Sequence, residues 1–151
     1  MANIPIGLQL HTVREQLAED PVATIQAVAE IGYAGVEGGS PGKMTTEEYT
    51  KLLADNGLKL IGGGAQADEL RNHLPDVVDR CNQLGIRYLM TGIARALRQE
   101  GKDWETAVAE LAEGCANAAG AGLKVLYHNH AFEFETKVQG MYGLDYLMTT
   151  I

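Results

Sequence analysis

Four times along this chain a helical pattern stops at a glycine and a short apolar run follows at once. Gly32 precedes Tyr33–Val36, Gly57 precedes Leu58–Ile61, Gly85 precedes Ile86–Met90, and Gly122 precedes the run that opens with Leu123. Glycine just past a helix end adopts the left-handed conformation that other residues resist. Runs this short do not make another helix; they suit strands covered on both faces. Polar residues close each run. A unit of strand, loop and helix that recurs in this way requires parallel strands joined by crossover helices. Strands are expected near residues 4–10, 34–38, 58–63, 86–91 and 123–129, in sequential order, with helices on the outer face.

The helices carry their own start signals. Asp20-Pro21 pairs an N-cap with proline at the first helical position, and Val22, Ile25, Val28 and Ala29 form an apolar face. Thr45 and Glu48 have the spacing of a capping box, with Tyr49, Leu52 and Leu53 turned inward. A third helix starts near Asp68 and keeps its apolar spacing from Leu70 to Leu84, with a kink or restart expected at Pro75. A fourth starts at Asp103, and Tyr142–Ile151 reads as the opening of a fifth. The repeat suits either an open doubly wound sheet or a closed (β/α)₈ barrel. Gly62-Gly63-Gly64 follows the third strand without the Lys-Ser/Thr of a phosphate loop, so close backbone or ligand approach is the better reading of it.

Charge excludes some partners. A formal net charge of -8 disfavours nucleic acid and anionic membrane, both of which want clustered Lys and Arg. Arg95, Arg98 and Lys102 come nearest to a basic patch and read as solvated loop charges. Cys81 and Cys115 fall on apolar helix faces, which predicts core roles and no disulfide. No stretch is long enough to span a bilayer, and Met1–Pro5 lacks a charged region followed by an apolar run, so a cytoplasmic location is expected.

Parallel α/β folds bind ligands at the C-terminal ends of their strands. The polar residues there are Gln9 and His11, Glu37, Gln66, Thr91, and then His128, Asn129 and His130. Glu37 ends a buried run, where a carboxylate is costly unless paired or liganded. His128 and His130 alternate to one side with Asn129 on the other, and two imidazoles so placed can hold a metal, bind a hydroxyl or move a proton. Each has a plainer alternative. His11 and Gln66 can be solvated loop residues, the His pair can be hydrogen-bonded structure, and Tyr127 reads as core with its hydroxyl bonded. Glu133 follows in the loop within reach of the same strand end. No Gly-x-Ser-x-Gly supports acyl transfer.

Three segments carry a family resemblance: Ile6-Gly7-Leu8-Gln9-Leu10-His11-Thr12-Val13-Arg14, Ile31-Gly32-Tyr33-Ala34-Gly35-Val36-Glu37, and Tyr127-His128-Asn129-His130-Ala131-Phe132-Glu133-Phe134. They resemble the xylose isomerase-like TIM barrels, a family of sugar phosphate isomerases and epimerases, inosose dehydratases and related keto-sugar enzymes. The resemblance implies a divalent metal (Mn²⁺, Mg²⁺, Co²⁺ or Zn²⁺) held by carboxylates and a His at the barrel mouth. It also implies proton abstraction beside a carbonyl, with a sugar or cyclitol as substrate. Isomerase, epimerase and dehydratase chemistry remain open. In many members a metal-binding Glu ends the fifth strand; His128 stands there in this chain. On this footing Glu37, His128 and His130 are expected to be catalytic, Gln9, His11, Gln66 and Asn129 to bind substrate, and His128 and Glu133 to offer metal ligands. The DNA-repair branch of the fold, the zinc endonucleases, is disfavoured by the acidic balance.

A closed barrel takes eight βα units and about 250 residues. The expectation is therefore a single partial (β/α) barrel domain over residues 1–151 that stops within its fifth βα unit, the N-terminal part of such an enzyme. A five-stranded piece would expose sheet edges and apolar surface. A homo-oligomer is expected to cover them, and a non-catalytic half-barrel that folds by self-association is the alternative reading.

Overall fold

The glycine-stopped runs all become parallel strands. The structure, a computed structural model, describes residues 4–151, so Met1–Asn3 of the N-terminal stretch read above lie outside the described residues. The chain divides into two compact units, residues 1–64 with 80–87 and residues 65–79 with 88–151.

In the first unit, strands β1 (Gly7–Gln9), β2 (Gly35–Glu37) and β3 (Lys59–Gly64) pair in parallel and in sequence order. Gly7, Leu8 and Gln9 stand opposite Gly35, Val36 and Glu37. Between β2 and β3 the register slips after Val36, so Glu37 faces Gly62. Helices α1 (Arg14–Glu19), α2 (Pro21–Ile31) and α3 (Thr46–Asp55) belong to the same unit. Local chemistry fixes their starts. The Asp20 carboxylate accepts the Ala23 N–H at 2.9 Å, with Pro21 at the first helical position. Thr45 and Glu48 form the capping box reciprocally. The sequence pattern missed α1, a helix with Leu17 as its one buried residue and too short to show a period. Leu10, Ile25, Val28, Val36, Tyr49, Leu53 and Leu58 form the core.

On the opposite face of this sheet, glycines at facing positions make room for one side chain. A Cβ on Gly7 would strike the Ile61 Cδ1, and a Cβ on Gly35 would strike the Lys59 carbonyl oxygen. Ile61 itself is 47% exposed.

The second unit begins with α4 (Ala67–Asn72) and the first half of α5 (Leu74–Leu84), whose Arg80–Leu84 belong to the first unit. Pro75 produces the expected restart. It falls at the second position of α5, where its missing N–H breaks no helical bond. Strands β4 (Tyr88–Thr91) and β5 (Lys124–Tyr127) pair in parallel, Tyr88 opposite Lys124 through Thr91 opposite Tyr127. Between them runs α6 (Trp104–Gly120), whose Asp103 cap accepts the Thr106 N–H at 2.8 Å. Gly114 lets α4 lie close against α6, since a Cβ there would stand 2.9 Å from the Leu70 Cβ. Arg71 ties the same two helices by ion pairs to Glu113 at 2.6 Å and Glu110 at 3.3 Å.

Beyond β5 come α7 (Phe132–Glu135), an antiparallel hairpin of β6 (Lys137–Val138) and β7 (Met141–Tyr142), and α8 (Gly143–Thr150). The helix in Tyr142–Ile151 is as expected; α7 and the hairpin are too short for a sequence signal. Ile93, Ala107, Val108, Leu111 and Leu147 form this unit's core. Trp104 stacks edge-on against Phe132 at 5.7 Å.

Cys81 is buried, Cys115 is partly buried, and both thiols are free. Two strand residues of this unit are more exposed than a run covered on both faces would be, Tyr88 at 44% and Leu126 at 47%. No helix among the described residues is long and apolar enough to cross a membrane.

Candidate functional site

In the first unit the parallel register sets Gln9 beside Glu37, each the last residue of its strand. The Gln9 Nε2 donates to the Glu37 Oε1 at 3.1 Å. Both side chains are half-buried, so the amide compensates a carboxylate that water only partly reaches. The register slip places the Gly38 N–H on the Gly62 carbonyl at 3.0 Å, which fixes the backbone just past Glu37. His11 lies in the exposed 3-10 turn Leu10–Val13 that follows β1, and its carbonyl accepts from the Arg14 guanidinium at 3.2 Å.

In the second unit the loop after β5 is organised around one buried acid. Glu133, at zero exposure, is the buried charged side chain of the described residues. Its Oε1 accepts the Tyr127 hydroxyl at 2.9 Å and its Oε2 accepts the His130 backbone N–H at 2.7 Å. Burial, then the hydrogen bond and charge of Glu133, push the Tyr127 hydroxyl well above its ordinary range; the Ile93 N–H opposes this. The hydroxyl therefore stays protonated and donating.

This anchor displays His128, Asn129 and His130 on the surface. Their backbone begins where the β4–β5 ladder ends, with the His128 N–H on the Thr91 carbonyl at 2.8 Å. The His128 and His130 rings stand 5.0 Å apart, tilted by 32°, and His130 stacks over Phe132 at 5.8 Å. The His130 Nδ1 is 3.8 Å from the Glu133 Oε1. The Asn129 amide donates to the His130 carbonyl at 3.4 Å. Gln66 sits at the N-cap of α4, where its N–H donates to the Glu69 carboxylate at 2.8 Å. Thr91 is buried with its hydroxyl oxygen unpartnered among the described residues.

The structure thus gathers Gln9 with Glu37, and His128 with Asn129, His130 and Glu133. As a metal centre these groups fall short. Both Glu133 oxygens are engaged, and among the described residues no three His, Cys, Asp or Glu side chains come together as a donor set. A protein metal site takes about three such ligands. What the sequence reading missed is the anchoring work of Glu133. Its signal was present in Phe132-Glu133-Phe134, an acid between aromatics.

Residues 25–141 match a family model described as xylose isomerase-like TIM barrel. Solved structures share the fold. A sugar phosphate isomerase/epimerase from Parabacteroides distasonis superposes with a TM-score of 0.75 at 17% identity, over 99% of this chain and 62% of that one. A probable 3-DHS dehydratase, AsbF, from Bacillus anthracis gives 0.56 at 18% identity, over 84% of this chain and 53% of that one. The IolI protein with a bound zinc atom gives 0.58 at 12% identity, over 82% of this chain and 51% of that one. The chain therefore spans between half and two thirds of the length of these relatives. No curated protein sequence matches it.

Proposed function

The chain belongs to the xylose isomerase-like TIM barrel family, and from that premise we propose that it carries the N-terminal portion of a sugar or keto-sugar isomerase or epimerase working by proton transfer beside a carbonyl. The observation that supports this most directly is the Gln9–Glu37 pair. Gln9 holds one carboxylate oxygen, and Oε2 has no partner among the described residues. A carboxylate fixed in this way can accept a proton from the carbon beside a carbonyl as those electrons move toward the carbonyl oxygen, and can return it to rebuild the C–H bond. His128 and His130 are exposed donors for substrate oxygens, with the ring spacing held by the Glu133 anchor. His11, Gln66 and Asn129 offer hydroxyl contacts at their own strand ends.

A divalent cation would polarise the carbonyl in such chemistry. His128 is the exposed donor we propose for it, with further ligands needed besides those gathered here. The chain alone is accordingly expected to bind Mn²⁺ or Zn²⁺ weakly, with little turnover, and replacing both His128 and His130 by Ala should remove what binding there is. The test of the catalytic reading is titration with a hydroxamate analogue of the enediolate, followed by NMR. Shifts at Gln9 and Glu37 that vanish in Glu37→Gln are expected; no binding, or binding indifferent to that change, would overturn the reading.

One observation favours a second reading, a half-barrel that self-associates without turnover. Ile61 in the first unit, and Tyr88 and Leu126 in the second, lie on strands and are each more than two fifths exposed, apolar strand surface that a second copy of the chain would cover. Sedimentation at micromolar concentration separates the cases: a stable monomer counts against association.

A further inference from the structure

Of the four glycines that stop helices ahead of strands, Gly57 alone follows an asparagine, and Asn56-Gly57 is the one Asn-Gly step of the chain. It joins α3 to β3 within the first unit. The step closes a Schellman motif. The Gly57 N–H donates to the Ala54 carbonyl at 3.0 Å and the Leu58 N–H to the Leu53 carbonyl at 2.9 Å, with Gly57 at a φ of 68°. The Asn56 side chain takes part as well, its amide nitrogen donating to the Leu52 carbonyl at 2.8 Å. Asn56 is half-buried and Gly57 is exposed. A Cβ on Gly57 would meet nothing within 4 Å, so solvent reaches this step freely.

We propose that Asn56 is a site of spontaneous modification, its side-chain amide exchanged for a carboxylate through attack by the Gly57 nitrogen, and that the end of α3 gates the reaction. In the step itself the Gly57 amide gives its proton to a base in solvent, and its nitrogen bonds to the Asn56 Cγ. The Cγ–Nδ2 bond breaks and ammonia leaves, which closes a five-membered imide. Water then opens the imide at either carbonyl. One opening leaves aspartate. The other leaves isoaspartate, with the main chain running through the former side chain. One water enters and one ammonia departs, with no oxidant or reductant. Glycine favours the attack because it has no side chain to crowd the nitrogen or restrict its rotation.

The folded geometry blocks this chemistry. Ring closure needs the Gly57 nitrogen to eclipse the Asn56 Cβ about the Cα–C bond. Asn56 has a ψ of 8°, so that nitrogen eclipses the Asn56 nitrogen instead, while Cβ leaves the tetrahedral carbon in another direction. The attacking N–H and the departing amide are both held by carbonyls of the last turn. Release of that turn frees them together, and helix ends open at far lower free energy than the whole fold. The products cannot rebuild the turn. The aspartate product has no N–H for the Leu52 carbonyl and sets a negative charge against the negative end of the helix dipole. The isoaspartate product adds a methylene to the main chain between residues 56 and 57. It thereby displaces the Leu58 N–H from Leu53 and the Lys59 N–H from the Ala34 carbonyl, which it now meets at 3.1 Å. Opening exposes the site, and modification keeps it open. None of this depends on the catalytic reading above.

The test is ageing of the whole chain in mildly alkaline buffer, with and without denaturing guanidinium chloride, followed by peptide mass mapping. The peptide carrying Asn56 should gain the mass of an NH₂ replaced by OH, and in denaturant every other asparagine should lag behind it. The folded chain should react roughly tenfold more slowly than the unfolded chain, or slower still, because only the opened fraction reacts. Hydrogen exchange at the Gly57 amide measures the same opening. Conditions that speed exchange there without global unfolding should therefore speed the mass gain in proportion. Asn56→Gln keeps an amide but would need a six-membered ring, and should abolish the gain at this peptide. Asn56→Asp reproduces the first product and should lower the ratio of folded to unfolded chain roughly fivefold to thirtyfold in a denaturant titration. Asn56→Ala, which loses the Leu52 contact without adding charge, should fall less. Equal rates of mass gain in folded and unfolded chains would show that the helix end gates nothing. No gain at Asn56 in denaturant, or an Asn56→Asp chain as stable as wild type, would likewise overturn the proposal.

Discussion

Replacing Glu133 separates what its charge does from what its shape does. The side chain is fully buried, with the Tyr127 hydroxyl at 2.9 Å on one oxygen and the His130 N–H at 2.7 Å on the other. Glu133→Ala deletes two hydrogen bonds to a charged group, each worth about 1.5–3 kcal/mol, and leaves two donors unsatisfied. Relief of the carboxylate's own desolvation offsets part of this, so a net loss of about 3 kcal/mol is expected. Glu133→Gln keeps the volume. The His130 N–H can only donate, so the amide oxygen must face it and the NH₂ must face Tyr127. The phenol can accept that NH₂, at the cost of its own donation, and the loss should be about 1–2 kcal/mol. Trp104 is the one tryptophan of the chain and packs edge-on against Phe132, next to Glu133, so its fluorescence reports this region directly. Urea unfolding of the three proteins gives the differences, and at this size each kcal/mol should move the thermal midpoint by about 2–4 °C. The Gln variant should also bring the Tyr127 hydroxyl part of the way back toward ordinary acidity, leaving the larger contribution of burial in place. An Ala variant within about 0.5 kcal/mol of wild type would mean that Glu133 does not anchor the loop. Equal losses in Ala and Gln would mean that the negative charge, and not the acceptor geometry, is what counts.

Three further outcomes follow from named contacts. Tyr49 is buried with its hydroxyl unpartnered among the described residues. Tyr49→Phe is therefore expected to raise stability by about 1 kcal/mol in denaturant unfolding; a loss of that size would reveal a partner for the hydroxyl. Gly35→Ala drives a methyl into the Lys59 backbone, which no rotamer change relieves, and should cost at least 1–3 kcal/mol, roughly the range for overpacking, by the same measurement; full tolerance would refute the β2–β3 packing described here. In acid, the hydrogen bonds from Thr45 hold the Glu48 carboxyl below its ordinary value, and those from Thr106 do the same for Asp103. Folded values below the unfolded ones mean stability that is present above the unfolded pKa, roughly 4 for these groups, and lost as pH falls through the folded values. Unfolding measured from pH 6 downward should therefore show a shallower acid loss in Glu48→Gln than in wild type, and parallel curves would contradict the capping geometry.

Features set by neighbours in sequence could be read from the sequence. Asp20, Thr45 and Asp103 cap helices because their side chains reach an N–H three residues on, and Pro75 restarts a helix because its ring removes a donor. The strands were readable because a short apolar run after a glycine stop has few other ways to fold, and their parallel order within each unit is as expected. Contacts set by register were not. Gln9 meets Glu37 across 28 positions, and Arg71 meets Glu113 across 42. Sequence marked Gln9 and Glu37 as strand-end polar groups but could not join them. Glu133 was placed near the right strand end, yet a contact within six residues that depends on a one-turn helix has no periodic signature.

The facing glycines of β1 and β2 carry a consequence for how this chain can change over time. At position 7 the obstacle is the tip of Ile61, a flexible end that a smaller side chain would withdraw; at position 35 it is main chain. Two adjacent positions of identical composition therefore have opposite evolutionary freedom. Position 7 can drift to alanine whenever position 61 shrinks to valine or alanine in step, so the two should covary among close relatives. Position 35 has no such escape, because no substitution elsewhere removes a carbonyl. A set of related sequences would then show residue 35 frozen while 7 and 61 trade volume across the sheet, in the same strand pair that brings Gln9 to Glu37.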